Sequence, residues 1–351
     1  MDPLTHALSG ALLVRAAAST VQSSVQVLPL RTRILVGFIA ATFPDLDLAL
    51  RLIDTLTYLY WHQGPTHSLV MLPAWAFLLS CLFSRLSYKQ YSWKVFYWPV
   101  CMGIAIHIAG DLLTSYGLML FAPFSMQRIS LPLVFVIDPW FSLIIITGLF
   151  FSLRFPQQRI FAVCALVGLL CYVSFLWHLH ERAMNIGVAY ADSQVMKKVE
   201  INVLPQPLSA FNWKIVIQDG QTYHVAYINL RRDRVNQRYV PDVWLLPRMM
   251  AAYQPYEQVM WQRYNQYGNE TYNLQHASQA WLQPEFEKFR EYAVFPALDR
   301  IDHDSNETCF WFFDLRFQFP ELPPSFRYGM CLENKQSSWR MRQQQGVFLI
   351  D

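Results

Sequence analysis

The chain has 351 residues, with 28 Lys and Arg, 25 Asp and Glu and a formal net charge of +3. A net charge this small, with no basic block, argues against a nucleic-acid partner. The charge is also uneven: residues 1–178 contain ten Lys and Arg, six Asp and no Glu, whereas residues 179–351 contain eighteen Lys and Arg and nineteen Asp and Glu. This contrast predicts two domains, a membrane-embedded domain over residues 1–178 and a soluble domain over residues 179–351.

Six apolar segments predict an α-helical polytopic membrane domain of about six helices embedded in a lipid bilayer. These segments are residues 4–14, 34–50, 69–84, 95–110, 140–153 and 160–177. A helix that crosses a bilayer needs roughly 20 apolar residues. The last segment meets this best, and the first two predict short helices that are partly buried among the others.

Lys and Arg residues in short loops predict the orientation, because they are retained in the cytoplasm. Eight of the ten fall in one set of alternate loops: Arg15, Arg31, Arg33, Arg85, Lys89, Lys94, Arg154 and Arg159. The other set contains Arg51 and Arg128. This asymmetry predicts a bacterial inner-membrane protein whose N-terminus and second domain are extracytoplasmic.

The second domain is predicted to be α+β. Its predicted strands are residues 199–203, 213–218, 223–230, 309–319, 326–332 and 339–349, and its predicted helices are about 243–264 and 271–292. Asp219-Gly220 is typical of a hairpin turn. Cys309 and Cys331 lie in strand-like runs and could form a disulfide in an oxidising compartment. The domain is predicted to be a lid or substrate-selecting platform, or else a purely structural unit.

Histidines and aspartates are predicted to gather at the extracytoplasmic ends of the helices. They are Asp2, His6, Asp45, Asp47, Asp54, His62, His67, His107, Asp111 and Asp138. His107 and Asp111 are four residues apart on a predicted helix and therefore share one face. Ionisable residues within a membrane segment indicate a functional site.

This combination of side chains is typical of a divalent metal site. Neutral imidazole and carboxylate together suit zinc, and they also suit manganese or iron. The set exceeds the needs of one tetrahedral ion, so a two-metal site bridged by Asp111 or by an aspartate of residues 44–47 is a second interpretation. Such sites activate water for an in-line displacement. A carboxylate that does not bind metal could act as general base.

Some of these residues also have a purely structural interpretation. Asp2 precedes Pro3 and Asp138 precedes Pro139, which is the pattern of a helix N-cap followed by proline at the first helical position. Asp54 is interpreted as a solvated loop residue. His107, taken alone, would be a packed histidine of the helix core.

Five motifs occur in order along the first domain. They are Asp2-Pro3-Leu4-Thr5-His6, Pro44-Asp45-Leu46-Asp47, Gly64-Pro65-Thr66-His67-Ser68, His107-x3-Asp111-x2-Thr114 and Val136-Ile137-Asp138-Pro139. Together they resemble the YdjM-like family of bacterial inner-membrane, metal-dependent hydrolases, over about residues 1–178. The resemblance implies a membrane-bound metal hydrolase. Its motif histidines and aspartates correspond to His6, Asp45, Asp47, His67, His107 and Asp111.

The favoured hypothesis is a metal-dependent hydrolase that acts on a membrane-associated phosphoester or lipid headgroup. The predicted metal ligands are His6, Asp45, His67, His107 and Asp111, the predicted catalytic residues are Asp45 and Asp47, and the additional candidates are Asp2, His62 and Asp138. A metal- or proton-coupled transporter is an alternative, although no inverted repeat is visible. A non-catalytic scaffold with a structural metal is another, and a closed coordination sphere would favour it. The oligomeric state is not predicted.

Overall fold

A computed structural model describes residues 1–18, 28–234, 245–268, 271–304, 306–333 and 338–343. The chain divides into two compact units, Met1–His178 and Leu179–Asp351. The predicted order of a helical N-terminal half followed by a sheet-containing C-terminal region is confirmed.

The first unit is built from helices whose starts are marked by capping residues. Its helices are α1 (Pro3–Ala17), α2 (Leu30–Ala40), α3 (Thr55–Trp61), α4 (Leu72–Leu86), α5 (Trp93–Leu112), α6 (Pro139–Arg154) and α7 (Ile160–Ser193), the last of which continues into the second unit. Asp2 and Asp138 cap α1 and α6, and each precedes a proline at the first helical position. Two 3₁₀ segments, Pro44–Leu52 and Pro65–His67, connect the helices near one set of helix ends.

The prediction of six spanning helices is wrong. Among the described residues, two helices are long and apolar enough to cross a membrane, α5 with 20 residues and α7 with 34. A third span is formed only if Thr55–His67 and Leu72–Leu86, which are bent by 84° at the break between them, count as one. The 15 residues of α1 and the 11 of α2, at about 1.5 Å per residue, are shorter than a hydrocarbon core of about 30 Å.

The short helices instead pack closely against α5. A Cβ atom on Gly103 in α5 would lie 2.7 Å from the carbonyl oxygen of Gly37 in α2, and a Cβ atom on Gly10 in α1 would collide with the same oxygen. Small residues let helix backbones approach in this way, which favours association of helices in membranes. The close contact fixes the start of α1, the end of α2 and the end of α5 relative to one another.

The second unit contains two antiparallel sheets of four strands each, in the orders β1-β2-β3-β4 and β5-β6-β7-β8. The strands are β1 (Glu200–Pro205), β2 (Asn212–Asp219), β3 (Thr222–Asn229), β4 (Gln262–Asn265), β5 (Pro296–His303), β6 (Glu307–Asp314), β7 (Tyr328–Glu333) and β8 (Trp339–Gln343). The helices are α8 (Leu245–Ala252), α9 (Thr271–Trp281) and α10 (Glu287–Tyr292). Asp219 pairs with Thr222 across the predicted hairpin turn, and Gly220 has the positive φ that this turn needs.

Two of the predicted elements in this unit are wrong and one is only partly described. The helix predicted over 243–264 ends at Ala252, and the chain then enters β4. The helix predicted over 271–292 is interrupted before Pro284, which cannot donate a helical hydrogen bond. The strand β5 was not predicted. Residues 243–244 of the first prediction and residues 344–349 of the last predicted strand lie outside the described residues.

Cys309 in β6 and Cys331 in β7 form a disulfide. The two residues are direct partners in the antiparallel register of these strands. Disulfides form and persist in oxidising compartments such as the bacterial periplasm and are rare in the cytosol. The bond therefore agrees with a location of the second unit outside the cytoplasm.

Lys214 in β2 is a fully buried lysine. Its Nζ donates hydrogen bonds to the carbonyl oxygens of Leu315 and Gln318, the latter at 2.7 Å. Burial lowers the pKa of Lys214 to about 7, although the negative charge of Asp314 acts in the opposite direction. An unfolded lysine has a pKa of about 10.4, so the unfolded chain binds more protons between these two pH values. Stability must then rise with pH across that window.

We expect Lys214→Met to flatten this pH dependence, because it removes the titrating group and keeps the length of the side chain. The melting temperature of the wild-type protein should rise from about pH 7 to about pH 9, with a free-energy slope of at most about 1.4 kcal/mol per pH unit. The exposed Lys197 provides the control variant Lys197→Met, which should behave like the wild type. If melting temperature changed with pH in the same way for all three proteins, Lys214 would not be the group responsible for the pH dependence.

Candidate metal centre

The predicted site residues reach one region from four separate elements. Asp45 and Asp47 lie on the 3₁₀ segment that follows α2, and His107 and Asp111 lie in the last turns of α5. His62 ends α3, and His67 ends the second 3₁₀ segment. Gln63 has a φ of 59°, and this left-handed residue with the Gly64-Pro65 turn reverses the chain. The reversal leaves the rings of His62 and His67 5.7 Å apart between their centroids.

Four side chains form a group that could hold one metal ion: Asp45, His67, His107 and Asp111. The Nε2 atoms of His67 and His107 are 3.0 Å apart, and each lies 3.3 Å from Asp111 Oδ2. Asp45 Oδ1 lies 3.7 Å from His67 Nε2 and 3.6 Å from His107 Nε2. With zinc–ligand bonds of about 2.0–2.1 Å, the edge of a coordination tetrahedron is about 3.3 Å. The four atoms therefore have the spacing of ligands around one ion.

The hydrogen bonds around the two histidines determine which nitrogen faces the group. His107 Nδ1 lies 2.6 Å from the carbonyl oxygen of Ala41, which can only accept, so this nitrogen carries the proton. His67 Nδ1 lies 2.9 Å from Thr66 Oγ1, whose own proton is directed to Asp47 Oδ2. When both imidazoles are neutral, these contacts leave both Nε2 atoms unprotonated and facing each other together with two carboxylate oxygens. Such a set repels itself unless a cation, either a metal ion or an additional proton on one imidazole, lies among the four atoms.

Asp111 is held by residues behind the group. Its Oδ1 accepts from His6 Nε2 at 2.9 Å and also contacts the amino group of Met1, and its Oδ2 accepts from Gln63 Nε2 at 2.8 Å. The His6 ring stacks on the His107 ring with 3.7 Å between centroids. His6, predicted to be a ligand, thus lies beside the group and contacts Asp111 and His107, and its role as a ligand stays a prediction. Outer partners of this kind fix the orientation of metal ligands.

Asp45 contributes a carboxylate in which one oxygen makes no hydrogen bond to the described residues. That oxygen, Oδ2, is buried. Burial acts to raise the pKa of Asp45, but the neighbouring imidazoles of His67 and His107 lower it, and the net direction is downward. The carboxylate is therefore ionised at neutral pH, and its second oxygen is available to a cation.

Asp47 and His62 form a hydrogen-bonded pair next to the group. Asp47 Oδ1 lies 2.9 Å from His62 Nδ1, and Asp47 Oδ2 accepts from the backbone nitrogen of Gln63 at 3.1 Å. The His62 side chain is 15% exposed, whereas those of His67 and Asp111 are 0% and 1% exposed. A second potential metal group, Asp45, Asp47 and His62, shares Asp45 with the first. The pair thus lies at the open side of the centre.

The remaining predicted residues serve as helix caps. Asp2 accepts from the backbone nitrogen of Thr5, and Asp54 accepts from that of Thr57. Asp138 accepts from two backbone nitrogens of α6 and from the hydroxyl of Tyr172. Neither potential metal group in the described part of the chain includes one of these three aspartates or His6.

Sequence reasoning missed two side chains that complete the site. Gln63 is 4% exposed and donates to Asp111, and Thr66 links His67 to Asp47. The one feature of the sequence that could have identified these two residues is their position between His62 and His67. The residue types themselves gave none, because neutral Gln and Thr are common at turns and caps.

The comparisons with known proteins place the chain among inner-membrane proteins. The family model described as YdjM inner membrane protein matches residues 1–183, which confirms the resemblance drawn from the five motifs. The uncharacterized protein YfhP of Bacillus subtilis (strain 168) is 27% identical over 97 residues, which are 28% of this chain and 29% of YfhP. The alignment thus spans less than a third of that relative. No solved structure gives a significant match.

We expect Asp45→Asn to weaken metal binding, because the amide removes one negative charge and one ligand oxygen while keeping the shape. The apparent affinity for zinc or manganese should fall at least about tenfold, as it does when metal-site partners are changed. Asp54→Asn removes the same charge from an exposed cap outside the group and should bind like the wild type. Elemental analysis after chelation and reloading would measure both. Equal metal content in the two variants would contradict the assignment.

Proposed function

Because the chain belongs to the YdjM inner membrane protein family, we propose that it is a membrane-embedded metal-dependent hydrolase. The proposal rests mainly on one observation: two imidazole nitrogens and two carboxylate oxygens converge within 4.8 Å of one another, as the ligands of one ion do. The donor set suits zinc, manganese or iron. We propose a divalent ion there, with zinc favoured.

Such an ion would supply Lewis acidity toward the ester oxygen and would lower the pKa of a water ligand. The residues around it have separate tasks. Asp45, His67, His107 and Asp111 would hold the ion, and His6 and Gln63 would keep Asp111 in its orientation. Outer hydrogen bonds of this kind keep ligand geometry constant during turnover.

The pair of Asp47 and His62 is suited to proton transfer. Asp47 accepts from Nδ1 of His62, so Nε2 is left as the proton acceptor for the attacking water and as the donor to the leaving group. A carboxylate that fixes the tautomer of a neighbouring imidazole is a recurring device of hydrolases. In this proposal Asp47 is a positioning residue and His62 is the general base, whereas the sequence assigned the base role to an aspartate.

The position of the centre suggests the substrate class. Its residues lie at the start of α1, the end of α5 and the connecting 3₁₀ segments, where helix ends meet the headgroup region of a bilayer. A substrate that remains in the membrane could present a polar ester at that depth. We therefore propose a phosphoester or another ester of an amphiphilic molecule.

The location outside the cytoplasm rests on two observations. Eight of ten Lys and Arg residues of the first unit lie at the helix ends opposite to the metal group, and such residues are retained on the cytoplasmic side. The disulfide between Cys309 and Cys331 supports an oxidising surrounding for the second unit. We propose that the metal centre and the second unit are both extracytoplasmic.

A structural metal site is the second candidate function. The observation that favours it is the number of protein ligands, because four donors complete a zinc tetrahedron and leave no open position. Manganese or iron, which accept more ligands, or zinc in a five-coordinate state would retain an open position with the same four donors. The absorption spectrum of the cobalt-substituted protein distinguishes the cases. Four-coordinate bands that do not respond to an added anion would favour the structural site, and five- or six-coordinate bands would favour the hydrolase.

We expect His62→Ala to lower kcat about 10²- to 10⁴-fold, the range for loss of a general base, without removal of the ion from the first group. The measurement would follow p-nitrophenol release from p-nitrophenyl phosphate, bis-p-nitrophenyl phosphate and p-nitrophenyl acetate by the metal-loaded protein. His178→Ala changes an exposed histidine of α7 outside both groups and should retain full activity.

The proposal fails if the metal-loaded wild type hydrolyses none of the three esters, or if His62→Ala is as active as His178→Ala. A second bound ion that is lost in His62→Ala would instead assign His62 and Asp47 as ligands of that ion. Metal content must therefore be measured on the same samples as the rates.

A further inference from the structure

The helix ends opposite to the metal group collect positive charge, and no ion pair to an Asp or Glu is found there among the described residues. Arg15 lies in the last turn of α1, Arg33 in the first turn of α2 and Lys94 in the first turn of α5. All six Asp residues of the first unit lie in the connecting segments or helix ends at the other side, and that unit has no Glu. Residues 19–27, which lie outside the described residues, also contain no Asp or Glu.

One of these guanidinium groups is buried and another, that of Arg33, is half-buried, and both contain buried nitrogen atoms. The Arg15 side chain is 1% exposed, and its Nη2 donates to the carbonyl oxygen of Pro156 at 2.9 Å. Its Nε and Nη1, and the Nε of Arg33, are buried and have no hydrogen-bond partner among the described residues. The charges of Arg15 and Arg33 also repel each other. Buried charge without a counter-charge is strongly unfavourable, which points to an anion supplied from outside the chain.

A cavity of about 280 Å³ opens beside these groups. Its lining includes Val14, Leu28, Arg33, Lys94, Trp98 and Met102. The cavity lining thus combines apolar side chains of α1 and α5 with two cations, Arg33 and Lys94. Trp98 is 67% exposed, and tryptophan is favoured at the interface between a membrane and water. The lining matches a molecule with an anionic head and an apolar body.

We propose that this cavity binds an anionic phospholipid, with the phosphate between Arg33 and Lys94 and the acyl chains along Val14, Val95 and Met102. Arg15 would contribute charge from behind the cavity. Basic cavities between membrane helices are suited to lipid headgroups, and each Lys or Arg near an anionic lipid contributes about 1 kcal/mol. A free phosphate ion would satisfy the cations but not the apolar wall, which is why we commit to a lipid.

The test compares the wild type with Arg33→Gln/Lys94→Gln and with Arg31→Gln. Arg31 is an exposed arginine of the same helix and lies outside the cavity lining, so its variant is a matched control. The proteins would be placed in nanodiscs made of equal amounts of phosphatidylglycerol and phosphatidylcholine. Native mass spectrometry after release would count the lipids retained by each chain.

We expect the wild type and Arg31→Gln to retain one phosphatidylglycerol in preference to phosphatidylcholine. Retention by the double variant should fall at least about tenfold, from two lost contacts of about 1 kcal/mol each. Equal retention by all three proteins would overturn the proposal. Displacement of the lipid by excess inorganic phosphate would overturn the assignment to a lipid. Metal content, measured on the same samples, should not change, so this result is separate from the fate of the proposed hydrolase.

Discussion

The mutual repulsion of four hydrogen-bond acceptors is the interaction on which the metal centre depends. As neutral imidazoles, His67 and His107 present unprotonated nitrogens to each other, because their other nitrogens are held by Thr66 and by the carbonyl oxygen of Ala41. Two carboxylate oxygens complete the set. In a low-dielectric surrounding, such a cluster needs a cation, and the outer hydrogen bonds keep it from collapsing into other pairings. A metal ion bound there would couple to helix packing, since the four candidate ligands come from α5 and from the two separate 3₁₀ segments.

That coupling is possible because α1, α2 and α5 meet backbone to backbone. Gly103 and Gly10 both approach the carbonyl oxygen of Gly37, so three helix backbones lie closer than larger side chains would allow. This contact fixes how far the start of α1 lies from the end of α5 along the helix axes. His6 can then stack on His107 and reach Asp111. A small shift of either helix would separate the pairs that orient the ligands.

The first unit also segregates its charges along the helix axes. The acids and imidazoles of the candidate metal groups occupy one set of ends, and most Lys and Arg residues occupy the other. Such segregation predicts an orientation in a membrane, and it leaves Arg15 and Arg33 without an acidic partner in the described part of the first unit. A metal ion bound at one set of ends would neutralise the carboxylates there, and a lipid anion bound at the other set would neutralise the arginines and the lysine.

The sequence by itself determined the helical class of the first half, the family, the residue types of the metal group and the side of the helices on which they gather. These follow from composition, from the His-x3-Asp spacing and from five ordered motifs, which are local properties. It overestimated the number of spans, because hydropathy does not reveal that Ile34–Leu50 breaks at Pro44 or that α4 bends away from the turn before it. Only the tertiary structure decided that His6 and Gln63 support Asp111 while His62 pairs with Asp47. Those roles depend on which ring nitrogen meets which oxygen across separate helices, and sequence spacing carries no information about such distances.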